Sequence, residues 1–153
     1  MSQPVEIKIV NPLLGTTFPL PSYATEGSAG VDLRACIEQP VILNPGETLL
    51  IPSGFALQIH DPSLMAVISS RSGLGIKKGI VVAQGIGIID SDYEGEIGIG
   101  LWNRGKEPYT IQPGERICQM VFVPVVRVEF SLVREFTHAS QRGSGGFGST
   151  GSH

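Results

Sequence analysis

Turn-forming residues break this chain into short pieces from one end to the other, and that punctuation constrains the fold more than anything else in it. The 20 Gly and 11 Pro are spread through the body instead of gathered in one tract. Extended helices therefore have little room, and the apolar residues between the breaks recur at period two, as in Val5-Glu6-Ile7-Lys8-Ile9. The pattern predicts strands at 5–10, 30–35, 41–43, 47–51, 54–59, 64–69, 80–82, 85–89, 95–102, 108–111, 116–123 and 125–133. Turn chemistry separates them at Asn44-Pro45-Gly46, Pro52-Ser53-Gly54, His60-Asp61-Pro62-Ser63, Asn103-Arg104-Gly105 and Gln112-Pro113-Gly114. About a dozen short strands at this spacing predict an all-β chain, a β-sandwich or jelly roll, with 71–77 its one helical turn.

Length and charge narrow the function. A chain of 153 residues that is 41% hydrophobic suits one globular domain with a real core. The formal net charge of −3 argues against a nucleic-acid polymer as partner, because such binding runs on basic patches. A polyphosphate ligand would instead need local arginines and a cation. Cys36 and Cys118 have no C-x-x-C spacing, so both are expected to be reduced core residues. No apolar run approaches the roughly 20 residues of a membrane helix, so a cytoplasmic protein is expected.

Several clusters carry chemistry. The segment Arg142-Gly143-Ser144-Gly145-Gly146-Phe147-Gly148-Ser149-Thr150-Gly151 has few side chains and cannot fold alone, since glycine loses the most entropy on ordering and buries little. What it does carry suits a nucleotide: an arginine and two hydroxyls for phosphate, and a ring for a base. Taken alone, it also fits a solvated terminus. Its glycine spacing matches dinucleotide and P-loop patterns, but no strand–loop–helix context surrounds it.

Asp90, Asp92, Glu94 and Glu96 place four carboxylates in seven residues. The run opens like a calcium loop, but Leu101 stands where the bidentate Glu belongs. It fits either a solvated hairpin tip, with Glu94 and Glu96 at its surface, or a carboxylate held at the end of a buried strand as general base for a water. Arg71 and Ser72 open the predicted helical turn, where free N–H groups favour an anion, though a surface arginine also fits. Asp32 lies in an apolar strand and needs a partner. The scattered His60, His138 and His153 are assigned no chemistry.

Five segments in order, Ala29–Leu33, Arg71–Gly75, Gly87–Glu96, Pro113–Gln119 and Arg142–Gly151, together resemble the trimeric dUTPase family, its bacterial members above all. The resemblance implies a jelly-roll homotrimer whose three sites each draw on all three chains, with 1–138 as the jelly-roll domain and 139–153 as a flexible arm closing a neighbouring subunit's site. It implies hydrolysis of dUTP to dUMP and pyrophosphate by attack on the α-phosphorus with Mg²⁺, limiting uracil in DNA and supplying dUMP for thymidylate synthesis. By the same resemblance Asp90 is the base for water, Tyr93 the platform beneath the deoxyribose, and Asp32 an outer-sphere holder of the metal. Arg71, Ser72 and Gln119 contact phosphates, Gln84 is the candidate base contact, and Gly73, Gly87 and Gly148 also bind substrate. Phe147 stacks on the uracil, while Arg142, Ser149 and Thr150 clamp the γ end. Gln84 departs from the Asn that bacterial relatives commonly place there, and Ser70 stands where Pro usually precedes the arginine. A dCTP deaminase on the same fold would need a glutamate aimed at C4, and a non-catalytic nucleotide sensor would bind dUTP without releasing pyrophosphate.

Overall fold

The computed structural model describes residues 3–148 and 151. Ten strands and one helix follow in the order β1 (Glu6–Ile9), β2 (Val31–Arg34), β3 (Val41–Leu43), β4 (Thr48–Gln58), β5 (Leu64–Ser69), α1 (Ser72–Lys78), β6 (Ile80–Val82), β7 (Gly87–Ile89), β8 (Glu96–Asn103), β9 (Tyr109–Ile111) and β10 (Arg116–Pro124). One sheet runs β1-β4-β8-β6 and a second runs β2-β10-β5-β7, while β3 pairs with β9. Every pairing between these strands is antiparallel. The two larger sheets close on each other as a jelly-roll sandwich.

Period-two alternation builds the core. In β8, Ile97, Ile99, Leu101 and Asn103 point inward while Gly98 and Trp102 face out, and the inward set meets Leu33, Phe55, Ile68, Ile117 and Cys118 from the other strands. Burying Asn103 is tolerable because its amide is fully employed. Its Nδ2 donates to the carbonyls of Leu43 at 2.9 Å and Glu107 at 2.8 Å, and its Oδ1 accepts from Gly105 N–H at 2.9 Å. No buried side-chain N or O lacks a partner among the described residues.

Two sequence expectations are corrected. Segments 47–51 and 54–59 form one strand, β4, and Pro52-Ser53-Gly54 is a bulge within it instead of a turn. Gly54 takes φ +85° there, and the bulge is tied from three sides: its carbonyl accepts from Val10 N–H at 2.8 Å, the Pro52 carbonyl accepts from Cys36 N–H at 2.9 Å, and Gly54 N–H donates to Glu96 Oε1 at 3.0 Å. The other correction concerns 125–133, which forms no strand. Its alternation is real, but within one chain it finds no sheet edge. Val125 N–H donates to Ser63 O at 2.8 Å. Beyond that tie Val126, Val128, Phe130 and Leu132 stand exposed, Phe130 at 94%.

The helix occupies Ser72–Lys78 and ends on Gly79, whose φ of +72° closes the last turn through N–H bonds to Gly75 and Leu74. Lys77 and Lys78 sit in that turn. No helix among the described residues is long and apolar enough to cross a membrane.

Candidate active site

Two groups of polar residues come together, at different places. The first lies on the outer face of the second sheet. Asp32 on β2 is flanked by Arg71, whose Nε is 3.1 Å from Oδ1, and by Arg116, whose NH1 is 3.3 Å from Oδ2. The partner that Asp32 requires is thus a pair of arginines. Arg71 NH1 also donates to the Arg116 carbonyl at 3.2 Å. Gln119 sits opposite Asp32 in the register of β10 with β2, and its Nε2 donates to Ser70 O at 3.1 Å. Ser72 and Gly73 follow, exposed, in the first turn of α1. Gly30 permits the close approach of β2: a Cβ there would come 2.9 Å from the Met120 carbonyl.

Two groups beside this cluster, one buried and one half-buried, are held neutral. The Cys118 thiol is pushed up to about 12, first by burial and then by the Asp32 charge, with Arg71 opposing. The Tyr109 hydroxyl is raised well above its ordinary range by burial and by its 2.6 Å hydrogen bond to Glu115 Oε2. Both cysteines are free and buried, as the sequence suggests. Neither is poised as a nucleophile, for burial also raises the Cys36 thiol.

The second group surrounds Asp90. Among the described residues the preceding strand β7 pairs only with β5, and of its residues Gly87 is buried while Ile88 is half exposed. The expected buried strand is therefore a sheet edge, and Asp90 is exposed beyond its end. The following segment crosses from the second sheet to the first, so it is no hairpin tip. Tyr93 N–H donates to Asp90 O at 3.1 Å and His60 N–H to Ser91 O at 3.0 Å, closing a tight turn. The Tyr93 hydroxyl donates to Glu96 O at 2.8 Å, which lays the ring over Gly95. Glu94 stays at the surface, accepting from Gln58 Nε2 at 3.0 Å. Glu96 does not: its carboxylate turns inward to Gly54.

Gln84 lies in the crossover from β6 to β7, and its amide covers two glycines. A Cβ on Gly87 would lie 3.4 Å from Nε2, and one on Gly100 3.5 Å from Oε1. In the arm, Arg142 Nε donates to Gly145 O at 2.8 Å, while Phe147, with φ 45°, and Gly148, with φ +92°, are exposed. Ser149 and Thr150 lie outside the described residues.

Strand register separates the two groups. Ile89 is opposite Ala66 and Gln119 opposite Ser69, so Asp90 falls level with Met65 near one end of β5 and Arg71 follows the other end. Six residues at about 3.3 Å each put them about 20 Å apart along the strand. Asp32, Arg71, Ser72 and Gln119 are brought together; Asp90 and Tyr93 lie at a second location, Gln84 covers Gly87 opposite Ile68 between the two, and Phe147 belongs to neither. Sequence reasoning missed Arg116 and the structural use of Ser70, whose Oγ accepts from Val82 N–H at 2.8 Å. A signal for Arg116 existed: strict alternation from Met120 and Cys118 would bury it, and an arginine on a core parity marks a bulge.

No group of three or more metal-ligating side chains occurs among the described residues. Asp32 is one carboxylate already facing two arginines, so the protein offers no direct cage. That donor set fits a hard cation carried by phosphate oxygens and touched by Asp32 through water.

Comparison with known proteins supplies the context. The dUTPase family model matches residues 16–151. A deoxyuridine 5'-triphosphate nucleotidohydrolase of Cronobacter sakazakii is 57% identical over 151 residues, covering 99% of each chain, and one of Escherichia coli is 56% identical over the same length and coverage. Among solved structures, a variant dUTPase of phage 80alpha superposes with a TM-score of 0.84 at 27% identity, over 97% of this chain and 99% of that one. The Staphylococcus phage 80alpha dUTPase with the dUTP analogue dUpNHpp superposes at 0.81 and 27%, over 98% and 99%.

Proposed function

Since the chain belongs to the dUTPase family and is a dUTP nucleotidohydrolase, we propose that it works as a homotrimer whose sites are completed across subunit boundaries, releasing dUMP and pyrophosphate. The observation that carries this reading is the separation within one chain of the carboxylate at Asp90 from the arginine cluster at Asp32 and Arg71. A site needing both takes them from different copies. The uncovered alternation at Val126, Val128, Phe130 and Leu132 also wants a neighbour, because so continuous an apolar stripe is rare on a monomer.

In this reading a water oxygen attacks the α-phosphorus, the bond to the bridging oxygen breaks, and Asp90 accepts the water's proton as pyrophosphate departs. Tyr93, pinned at its hydroxyl, presents a fixed ring face to the deoxyribose and crowds out a 2′-hydroxyl. Arg71, Ser72, Gly73 and Gln119 hold the phosphates, and Gln84 with the backbone of Gly87 faces the base. Residues 139–153 form the arm that covers a neighbouring site, with Phe147 and Gly148 over the uracil and Arg142, Ser149 and Thr150 at the γ-phosphate. Closing the site strengthens each of these contacts by excluding water. Asp32 would hold Mg²⁺ through water, and the ion when bound would neutralise phosphate charge. The activity suits the cytosol, where it limits uracil in DNA and supplies dUMP for thymidylate synthesis.

The test is pyrophosphate release from dUTP, dCTP, dTTP and UTP, each with Mg²⁺ and with EDTA. The proposal requires turnover of dUTP alone, dependent on the metal. Ammonia release from dCTP, or dUTP binding without hydrolysis, would overturn it.

A further inference from the structure

Arg116 faces the phosphate-binding cluster only because β10 breaks its own alternation. Met120 and Cys118 point into the core, so a regular strand would send Arg116 inward with them. The register shifts instead between Arg116 and Cys118, two residues of β10 stand against one of β2, and both Ile117 and Cys118 are buried. The extra residue turns Arg116 to the outer face, beside Asp32. Bulges of this kind re-aim side chains next to functional sites.

What Arg116 meets there is a closed circuit. Each Asp32 oxygen has its own arginine, Arg71 on Oδ1 and Arg116 on Oδ2, and Arg71 NH1 returns to the carbonyl of Arg116. Arg71 thus uses Nε and NH1 within the protein, and its NH2 has no hydrogen-bond partner among the described residues. The strand segment carrying Arg116 is anchored too: Arg34 NH1 donates to Gly114 O at 2.9 Å, and the Glu115 carboxylate is engaged by Tyr109 Oη at 2.6 Å and Gln112 N–H at 3.1 Å. Glu115 is consequently occupied, and Asp32 is the carboxylate left for Arg116.

Resting on the functional reading above, we infer that Arg116 is a positioning residue for dUTP hydrolysis: it clamps Asp32 so that Arg71 is oriented with one guanidinium nitrogen open to phosphate. It also leaves Asp32 a cation when Arg71 turns to the substrate. Arg116 acts through Asp32 and does not touch the nucleotide. As a half-exposed ion pair the contact adds little to stability, so its effect is expected in function.

A double-mutant cycle tests this. Arg116→Gln, Asp32→Asn and the double variant are compared with the parent by kcat/KM for dUTP and by the dissociation constant for dUpNHpp in EDTA, where no metal contributes. Thermal unfolding and oligomer size serve as controls on folding. Misplacement of Arg71 by a fraction of an ångström predicts about a 10-fold loss in kcat/KM for Arg116→Gln, with analogue binding weakened in the same direction. In the Asp32→Asn background the same substitution should change either quantity by less than about 2-fold. Arg116→Lys, which keeps a cation and serves where the glutamine variant misfolds, should recover part of both losses. Additive losses mean that Arg116 acts independently of Asp32 and overturn the inference, as does an unchanged Arg116→Gln. A parent protein that releases no pyrophosphate refutes the functional reading, whereas the cycle in analogue binding still decides the role of Arg116.

Discussion

Replacing Gly95 with alanine tests how the Tyr93 ring is held. A Cβ at position 95 would lie 2.6 Å from the Tyr93 hydroxyl oxygen, 2.8 Å from Cζ and 3.1 Å from Cε2. Ordinary contact begins near 3.4 Å, and a tyrosine ring cannot bend aside, so the ring must move by nearly an ångström. Such a shift breaks the 2.8 Å hydrogen bond from the hydroxyl to Glu96 O, worth about 1 kcal/mol net. Gly95 does not have positive φ, so no backbone strain adds to this, and global stability should fall by only about that amount. Activity should fall further, because an ångström of misplacement at a substrate platform costs up to about 10²-fold in rate. The assay is pyrophosphate release from dUTP and UTP. Gly95→Ala is expected to lower kcat/KM for dUTP at least about 10-fold and to narrow the preference over UTP, while urea unfolding shifts little. Unchanged kcat/KM and an unchanged dUTP-to-UTP ratio would refute the platform argument.

Asp90→Asn should lower turnover about 10²- to 10⁴-fold, the usual contribution of a general base, with dUpNHpp still bound; unaltered turnover removes Asp90 from that role. Truncation after His138 should abolish nearly all turnover while gel filtration shows the parent's oligomer, and full activity would deny the arm its function. Gly54→Ala combines a Cβ at φ +85° with a contact of 2.5 Å to Cys36 Sγ; left-handed strain of about 1–2 kcal/mol and overpacking of about 1–3 kcal/mol predict a loss of about 2–5 kcal/mol in urea unfolding, and less than about 0.5 kcal/mol would contradict the packing. The Cys118 thiol rises from its ordinary 9.0 to about 12 on folding, so the native state holds the proton more tightly. That contribution is complete below pH 9 and is lost as pH climbs toward 12; alkaline unfolding should show this slope, and Cys118→Ala should flatten it.

Most of the sandwich is legible in the sequence because local alternation and turn chemistry decide it. The sharp alternation of Ile97, Ile99 and Leu101 and the turn at Gln112-Pro113-Gly114 leave few other arrangements. Bulges are where local reading fails. Pro52-Ser53-Gly54 carries turn residues, yet tertiary hydrogen bonds from Val10 and Cys36 and one to Glu96 hold it inside one long strand. Arg116 escaped notice for the same reason, since its outward aim depends on one extra residue in β10. The alternation at 125–133 reads as a strand, but a strand also requires an edge to pair with. In the site, Asp32's need of a partner follows from the cost of burying an unpaired charge, but that the partner is a pair of arginines does not. The distance of that pair from Asp90 does not, because it depends on the order β2-β10-β5-β7.

Subunit complementation tests most directly whether one site draws on two chains. Asp90→Asn and Arg71→Ala proteins, each inactive alone, are unfolded together in equal amounts and refolded as mixed oligomers. Random assembly places an intact Asp90 from one chain beside an intact Arg71 from another in about one site in four, and pyrophosphate release from dUTP should recover to about that fraction of the parent rate. No recovery in mixed oligomers of the parent's size, or turnover by an isolated monomer, would contradict the account.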